Sequence, residues 1–382
     1  MPKSNHRKIA TFSLAALLND IGSDMIKPLW PTFVTAVLGA PMAFLGLLDG
    51  LGRTVGSMSM FPSGYFADKT RRKPFIWVGY LFSGLARIGY ALAAFATALL
   101  PLYVIDRLGK GLRDPPRDAM LAEAVKKRRR GRAFGILRAA DSFGATLGPL
   151  IAFFLFAAAI TYRNIFLIAA VPSIIGATLI YIIIKEGRKK ERAHKRKFKF
   201  RGLTRNLKFL IAIAGIFALS WFSISFMIVY ATRFMDVLYT PLVFFFFSLF
   251  ASMSAIPAGK LSDKIGRKPV AFMGFGLYTL VCAGFIFSNS AAMIFFLFML
   301  FGVHYGILRT MEKTFVADLA PKAIRATALG SYQTTVGLAA LPASLIAGLL
   351  WDNISAVAPF YYGAVLSAIA AVLLLIFVKD TV

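Results

Sequence analysis

The 382-residue chain contains one cysteine, Cys282, and three histidines. A single thiol excludes a disulfide framework, a Cys-rich zinc site and a thiolate-held iron–sulfur cluster, each of which needs several. Charge is also scarce: Asp, Glu, Lys and Arg make up 16% of the residues, against 58% hydrophobic. A water-soluble chain of this length needs far more polar surface to cover its core. Acids are the scarcer sign, 17 against 44 basic residues, for a formal net charge of +27. There is no Walker-A phosphate loop, because Gly109-Lys-Gly lacks both the preceding spacing and the Ser or Thr. A catalytic triad, a metal-ligand cluster and a cofactor fingerprint are missing too, so no enzyme activity, no metal and no cofactor are expected.

What the chain does have is a succession of apolar runs long enough to cross a bilayer. Spans are expected at about 9–37, 42–67, 74–98, 101–124, 133–158 and 164–184, then about 209–235, 241–259, 270–288, 291–318, 326–350 and 359–378. The opening run is longer than a signal-peptide core and lacks a clear cleavage site, so it reads as the first span. Most Lys and Arg fall in the N-terminal arm, in loops 2–3, 4–5, 8–9 and 10–11, and in the stretch Lys185 to Lys208. The spans and the opposite loops are close to neutral. This positive-inside alternation predicts cytoplasmic termini and argues against a nucleic-acid partner. The basic stretch itself reads as a solvated linker drawn to anionic lipid headgroups.

A repeat organises the chain. Ser63-Gly-Tyr-Phe-Ala-Asp-Lys-Thr-Arg-Arg-Lys-Pro74 returns 195 residues later as Ala258-Gly-Lys-Leu-Ser-Asp-Lys-Ile-Gly-Arg-Lys-Pro269. At the same offset Ala122-Glu123 returns as Ala317-Asp318, Arg130 to Gly135 as Arg325 to Gly330, and Leu150 to Ala152 as Leu345 to Ala347. Six spans per copy keep both copies in one orientation, related by an axis along the membrane normal. The expected fold is therefore an all-α polytopic membrane protein of twelve transmembrane helices in two six-helix repeats. The expected division is a bundle at 1–185, a linker at 186–208 and a second bundle at 209–382.

The doubled Gly-x-x-x-Asp-Lys-x-x-Arg-Lys resembles the loop 2–3 and loop 8–9 signature of the major facilitator superfamily. That resemblance covers essentially the whole chain. It implies a glycine that lets helices approach, and a cytoplasmic charge latch at Gly64, Asp68, Arg72 and Lys73, then Gly259, Asp263, Arg267 and Lys268. The first copy departs from the pattern, with Arg71 where Gly266 stands in the second; a left-handed turn there would cost a non-glycine residue about 1 kcal/mol. Asp106 to Arg113 resembles the family's intramembrane-arginine motif. Gly144-Ala-Thr-Leu-Gly148-Pro149 is similar to the Gly-x-x-x-Gly-Pro motif of drug–proton antiporters, although its closing Gly-Gly is Ala152-Phe153 here. Leu18 to Pro28 and Gly109 to Asp118 also resemble a poorly characterised prokaryotic branch. The resemblance implies alternating access but names no substrate.

Ionisable residues inside spans are expensive, so each is a candidate functional group. Asp20, Asp24 and Lys27 share one face of span 1, while their repeat counterparts are Gly215, Leu219 and Phe222. A carboxylate whose surroundings change can load and release a proton. Asp20 and Asp24 are thus proton-coupling candidates, with Asn19 and Lys27 beside them. A permanent Asp24–Lys27 ion pair is the other reading. Arg107, Lys110, Arg113 and Arg117 occupy one sector of span 4, and Pro115-Pro116 is expected to break or kink the helix so that Arg117 turns away. These cations read either as an anion-attracting wall or as groups neutralised by Asp106, Asp114, Asp118 and Glu123, with Arg117 and Asp118 joining the latch. Arg107, nearest mid-membrane, is a further coupling candidate. Asp49 with Arg53, Arg138 with Asp141 and Arg309 with Glu312 have helical spacing and read as self-contained pairs or as site residues, Glu312 again as a coupling candidate. His304 and Tyr305 lie on span 10, which in the resembling family lines the cavity; a lone His also reads as a packing residue. The Phe residues read as lipid-facing or packing bulk, and Pro28, Pro31, Pro62 and Pro149 as bends in spans that must rock.

The function expected is a secondary active transporter, first a proton-coupled exporter of a hydrophobic or amphipathic small molecule. Uptake or exchange of a small organic anion ranks second, on the span-4 charges. A primary pump and a non-transporting receptor or scaffold are the other classes; a scaffold has no use for two latches. The partners expected are a small-molecule substrate, protons and the lipid bilayer, with a monomer as the functional unit in the cell membrane.

Overall fold

Lipid offers the backbone no hydrogen bonds, so each apolar run satisfies its own N–H and C=O groups by coiling. The computed structural model describes residues 3–126, 129–186, 204–321 and 324–379. Most of the linker expected at 186–208, from 187 to 203, lies outside the described residues. Among the described residues twelve long helices follow one another. They are α1 (Lys3–Ile26), α2 (Met42–Lys69), α3 (Arg72–Leu92), α4 (Leu99–Ala124), α5 (Arg130–Ala157) and α6 (Tyr162–Ile183), then α7 (Arg205–Ser220), α8 (Thr240–Ile265), α9 (Arg267–Ile286), α10 (Ala291–Leu319), α11 (Arg325–Asn353) and α12 (Ala358–Phe377). Among the described residues ten helices are long and apolar enough to cross a membrane by length and composition. The other two, α2 and α4, are 28 and 26 residues long, which at about 1.5 Å per residue also spans a core of about 30 Å. Their interiors carry the charges that concern the site.

Two spans are interrupted at equivalent places. Helix α1 ends at Ile26, and after Lys27-Pro28-Leu29 the chain resumes as short helical pieces, Trp30–Thr32 and Phe33–Val37. Helix α7 ends at Ser220 and resumes at Ile224–Ala231, capped by the Ser223 hydroxyl on Ser225 N at 3.2 Å. By contrast Pro115 and Pro116 do not break α4. The helix runs through both to Ala124, and an imide nitrogen there costs less than ending the span in a packed bundle.

The chain divides into two compact units, Met1–Gly39 with Val55–His194, and Ala40–Thr54 with Lys195–Val382. The division passes through α2, whose first part groups with the second unit. In the first unit α1 packs on α5 and α6, and α3 on α4 and α6. In the second, α7 packs on α11 and α12, and α9 on α10 and α12. The pairings repeat helix for helix, as the sequence repeat requires.

Glycine sets the closest of these approaches. A Cβ on Gly148 would sit 2.6 Å from the Ile21 carbonyl oxygen, and one on Gly144 2.7 Å from that of Leu17. The span-5 motif therefore seats α1 against α5 beside Asp20 and Asp24. Gly64 and Gly259 are different: a Cβ there would meet Pro115 Cβ at 3.6 Å and Thr310 Cγ2 at 3.5 Å, ordinary contact. Close helix approach is not what these two glycines supply in this conformation, contrary to the expectation from the resemblance.

Candidate functional site

In the first unit α1, α3, α4, α5 and α6 bring a charged cluster together. Asn19 lies at its centre, 1% exposed. Its side-chain oxygen accepts from Ser173 at 2.9 Å, from Arg87 at 3.3 Å and from Arg113 at 3.5 Å. Its amide nitrogen donates to Asp20 at 3.1 Å. Arg87, 2% exposed, also donates to the Ala169 carbonyl at 3.0 Å, to the Asn19 carbonyl at 3.3 Å and to the Ser173 hydroxyl. All of these acceptors are neutral. Asp24 is buried and Lys27 grips it at 2.5 Å, with the lysine side chain 41% exposed. Asp20 is half-buried, and among the described residues no cation lies within ion-pair distance of it.

The span-4 cations are largely neutralised in place. Arg107 pairs with Asp106 at 3.1 Å and lies over the Tyr103 ring at 4.7 Å. Arg113 pairs with Asp114 at 3.5 Å, donates to Ser83 at 3.0 Å and lies over Tyr80 at 4.6 Å. Arg117 does not turn away. It is buried, with Asp114 at 3.6 Å and Asp118 at 3.2 Å, because the unbroken helix keeps it on the packed face. Glu123, expected among these neutralising acids, serves Arg72 instead, at 2.8 Å. Lys110 differs from its neighbours: it is exposed and has no carboxylate within ion-pair distance among the described residues. Arg138 and Asp141 meet at 3.1 Å, but Arg138 also reaches Asp118 at 3.8 Å, so the pair is tied to α4 rather than self-contained.

The second unit places rings where the first has charges. His304 is fully buried beside Phe217, Trp221, Tyr278 and Phe301, with ring centroids 5.0 to 6.0 Å away. Its Nδ1 lies 2.7 Å from the Gly274 carbonyl, and its Nε2 has no hydrogen-bond partner among the described residues. Tyr305 stands 5.9 Å from Trp221, with Arg309 5.4 Å over its own ring. Asp49 is not confined to its helical neighbour Arg53: it accepts from Ser223 at 2.6 Å and Ser225 at 2.5 Å, at the break in α7. Arg53 lies over Trp221 at 4.7 Å and donates to its carbonyl at 3.4 Å. Glu312 is half-buried on α10, one turn beyond the exposed Arg309.

The doubled loop motif forms the same triad twice. Arg72 joins Asp68 at 2.6 Å and Glu123 at 2.8 Å. Arg267 joins Asp263 at 2.7 Å and Asp318 at 2.9 Å. The two loops reach it by different backbones. Gly266 has φ of 96°, whereas Arg71 has φ of −107° and ψ of 136°, ordinary extended backbone without the strain that a left-handed turn would impose. Glu186 supplies what the first loop lacks, a cap, accepting from the backbone N–H of Arg72 and of Lys73 at 2.9 Å each. Lys73 lies over Tyr181 on α6, and Lys268 donates to the Leu375 carbonyl on α12. Sequence reasoning missed Arg87, Ser173, Ser223, Ser225 and Glu186. A lone arginine in an apolar run was itself a signal for Arg87. The shared offset of Glu123 and Asp318 was the signal for the third member of each triad.

A family model described as Major Facilitator Superfamily matches residues 12–239 and again 210–382. The chain is 36% identical over 382 residues to the uncharacterized MFS-type transporter MJ1317 of Methanocaldococcus jannaschii, covering 97% of this chain and 94% of that one. Over 138 residues, 35% of this chain and 34% of the other, it is 33% identical to the multidrug resistance protein MdtH of Photorhabdus laumondii. Among solved structures it is similar to a D-xylose-proton symporter, with a TM-score of 0.79 at 14% identity over 98% of each chain.

Proposed function

This chain belongs to the major facilitator superfamily and is a multi-pass transporter of the cell membrane, and from that premise we propose that it couples a proton gradient to the movement of a small amphipathic molecule by alternating access. The observation that carries the reading is the face of α1 just before its break. Asp20 is half-exposed with a neutral amide as its partner, and Asp24 is buried against Lys27. A carboxylate in that setting exchanges a proton when a small movement changes its hydration or its distance to a cation. The second unit has Gly215, Leu219 and Phe222 at the matching positions, so scaffold symmetry does not account for these groups.

Paired helix interruptions in the two halves of a transporter point to its binding region. The breaks at Lys27-Pro28-Leu29 and at Trp221-Phe222-Ser223 supply that pair. Within the first unit we assign Asn19, Lys27 and Lys110 to substrate contact. The two Arg-centred triads are the latches that open and close with the switch. The positive-inside pattern of the loop charges supports our reading that both termini are cytoplasmic, with the basic segments drawn to anionic headgroups, and we take the monomer as the working unit.

Export is favoured by the Gly144–Gly148 seat and the partial likeness to a multidrug resistance protein. Uptake or exchange of an organic anion is the second reading, favoured by the exposed Lys110. Proteoliposomes carrying the purified chain, loaded with a panel of fluorescent and radiolabelled compounds and given an imposed pH gradient, test the coupling. Flux should follow the gradient and lose that dependence in Asp20→Asn or Asp24→Asn. Full gradient-driven flux in both variants would remove α1 from the coupling role.

A further inference from the structure

We propose that the transported molecule carries an acidic group and that Lys110 is the side chain that binds it. The proposal rests on the coupling reading in one respect, the role of Asp20. Lys110 lies about 16 Å from the start of α4 and about 21 Å from its end, at about 1.5 Å per residue, so it sits well inside the span. An exposed ammonium at that depth does not face acyl chains; it faces water or a ligand. The other three cations of its sector each have a carboxylate within 3.6 Å. Lys110 has none, although Asp114, Lys27, Asp20 and Arg107 all act on it from further away.

Pairing off the neighbours sets Lys110 apart. Lys27 holds Asp24, Arg107 holds Asp106, Arg113 and Arg117 share Asp114 and Asp118, and Arg138 holds Asp141. Arg87 is satisfied by neutral acceptors. Among the described residues of this cluster two cations, Lys110 and Arg87, then stand against Asp20, a carboxylate with no cation at ion-pair distance. A carboxylate, phosphonate or sulfonate on the substrate supplies the missing negative charge, and only the exposed Lys110 can meet it.

Asp20 is acted on by Asp24 on its own helix, with Lys27 beyond it, by Arg87 from α3, Lys110 from α4 and Asp141 from α5, and the Ser173 hydroxyl of α6 bonds the adjoining Asn19. A proton on Asp20 removes the one competing negative charge that is not already paired. Protonation therefore strengthens the hold of Lys110 on an anion, and proton and acid bind together, which sides with the uptake reading of the function over export.

Thermal-shift and calorimetric titrations of the full-length protein in detergent test this with matched probes: benzoate, benzamide and benzylamine; octanoate, octanamide and octylamine; 2-naphthoate with its amide and amine. At least one acid should stabilise the protein while its amide and amine do not. Lys110→Gln should weaken that acid tenfold or more, Lys110→Arg should restore most of the affinity, and Asp20→Asn should bind the acid at least as tightly as the parent. Amides or amines binding as well as acids, no acid-dependent shift at all, or unchanged acid affinity in Lys110→Gln would each overturn the proposal. Acid-selective binding through Lys110 together with flux that ignores the pH gradient supports Lys110 as the reader while removing Asp20 from coupling, so the two readings fail separately.

Discussion

Where Gly79 and Gly109 bring α3 and α4 together in the first unit, the second unit has Gly274 and His304, 195 residues on. A Cβ on Gly109 would lie 2.7 Å from the Gly79 carbonyl oxygen; in the second unit that space holds a ring whose Nδ1 lies 2.7 Å from the Gly274 carbonyl. The same exchange recurs around it. At the 195-residue offset Arg87 corresponds to Cys282, Asp106 to Phe301, Lys110 to Tyr305 and Arg113 to Leu308. Helix pairings are kept while the filling changes from ion pairs to aromatic rings. Buried ion pairs gain their energy from geometry and lose it when a partner moves, whereas stacked rings lose less on a small displacement. On the proposed function, the charged unit is the one whose internal energy would respond to a proton or a bound anion.

The comparison breaks first, and hardest, at the shared scaffold. Gly148→Val drives a side chain into the Ile21 carbonyl and the Met25 amide of α1, and should cost about 3 kcal/mol or more, seen as loss of monodisperse protein. Gly135→Ala and Gly330→Ala, with nothing within 4 Å of the added Cβ, should be neutral. A well-folded Gly148→Val variant would mean that α1 is not seated on α5 as described.

Next comes the filling. Arg87→Leu removes the buried hydrogen bonds from the guanidinium to the Asn19 and Ala169 carbonyls and to the Asn19 and Ser173 side chains, at a cost of about 3 kcal/mol. Cys282→Ala at the matching position removes one sulfur from a buried apolar site and should cost about 1 kcal/mol. Thermal midpoints of the two variants, measured side by side, decide it. Equal losses would show that Arg87 does no more than occupy volume.

The third contrast is between the two triads. Arg72 is the more enclosed, with its side chain 8% exposed against 19% for Arg267, and only its helix is capped by Glu186. Arg72→Gln should lower stability by about 2 kcal/mol and Arg267→Gln by about 1 kcal/mol or less, with transport slowed in the same order. Glu186→Gln should fall between. An effect of Arg267→Gln exceeding that of Arg72→Gln would reverse the assignment of the tighter latch.

The scaffold half of this picture was legible in the sequence, since length and hydropathy mark spans and a constant offset marks a repeat. Pairing partners were not. Helical spacing suggested Asp49 with Arg53 as a closed pair, yet Asp49 meets Ser223 and Ser225 across more than 170 residues, and no local pattern encodes that contact. Arg71 looked like strain at a glycine position, but the loop takes an extended backbone and Glu186 caps the helix from elsewhere. The proline pair looked like a helix end; inside a bundle, the cost of exposing more backbone outweighs one missing hydrogen bond. Among the site residues, α1 was conspicuous because carboxylates in an apolar run are rare. Ser173 was not, because a serine there is ordinary.

The smallest effect is expected at His304, and it is the finest test of the contrast. His304→Phe gives up the contact of Nδ1 with the Gly274 carbonyl, worth about 1 kcal/mol. It also removes a buried Nε2 that has no partner among the described residues, a gain of similar size. A phenyl ring fits among Phe217, Tyr278 and Phe301 with little change in volume. The net change should stay within about 0.5 kcal/mol, read as a thermal midpoint nearly equal to that of the parent, whereas Gly109→Phe at the equivalent place in the first unit should prevent folding. A loss of 2 kcal/mol or more in His304→Phe would show that the imidazole does chemistry the rings do not. The second unit would then have a polar centre of its own, and the division of labour between the units would have to be redrawn around it.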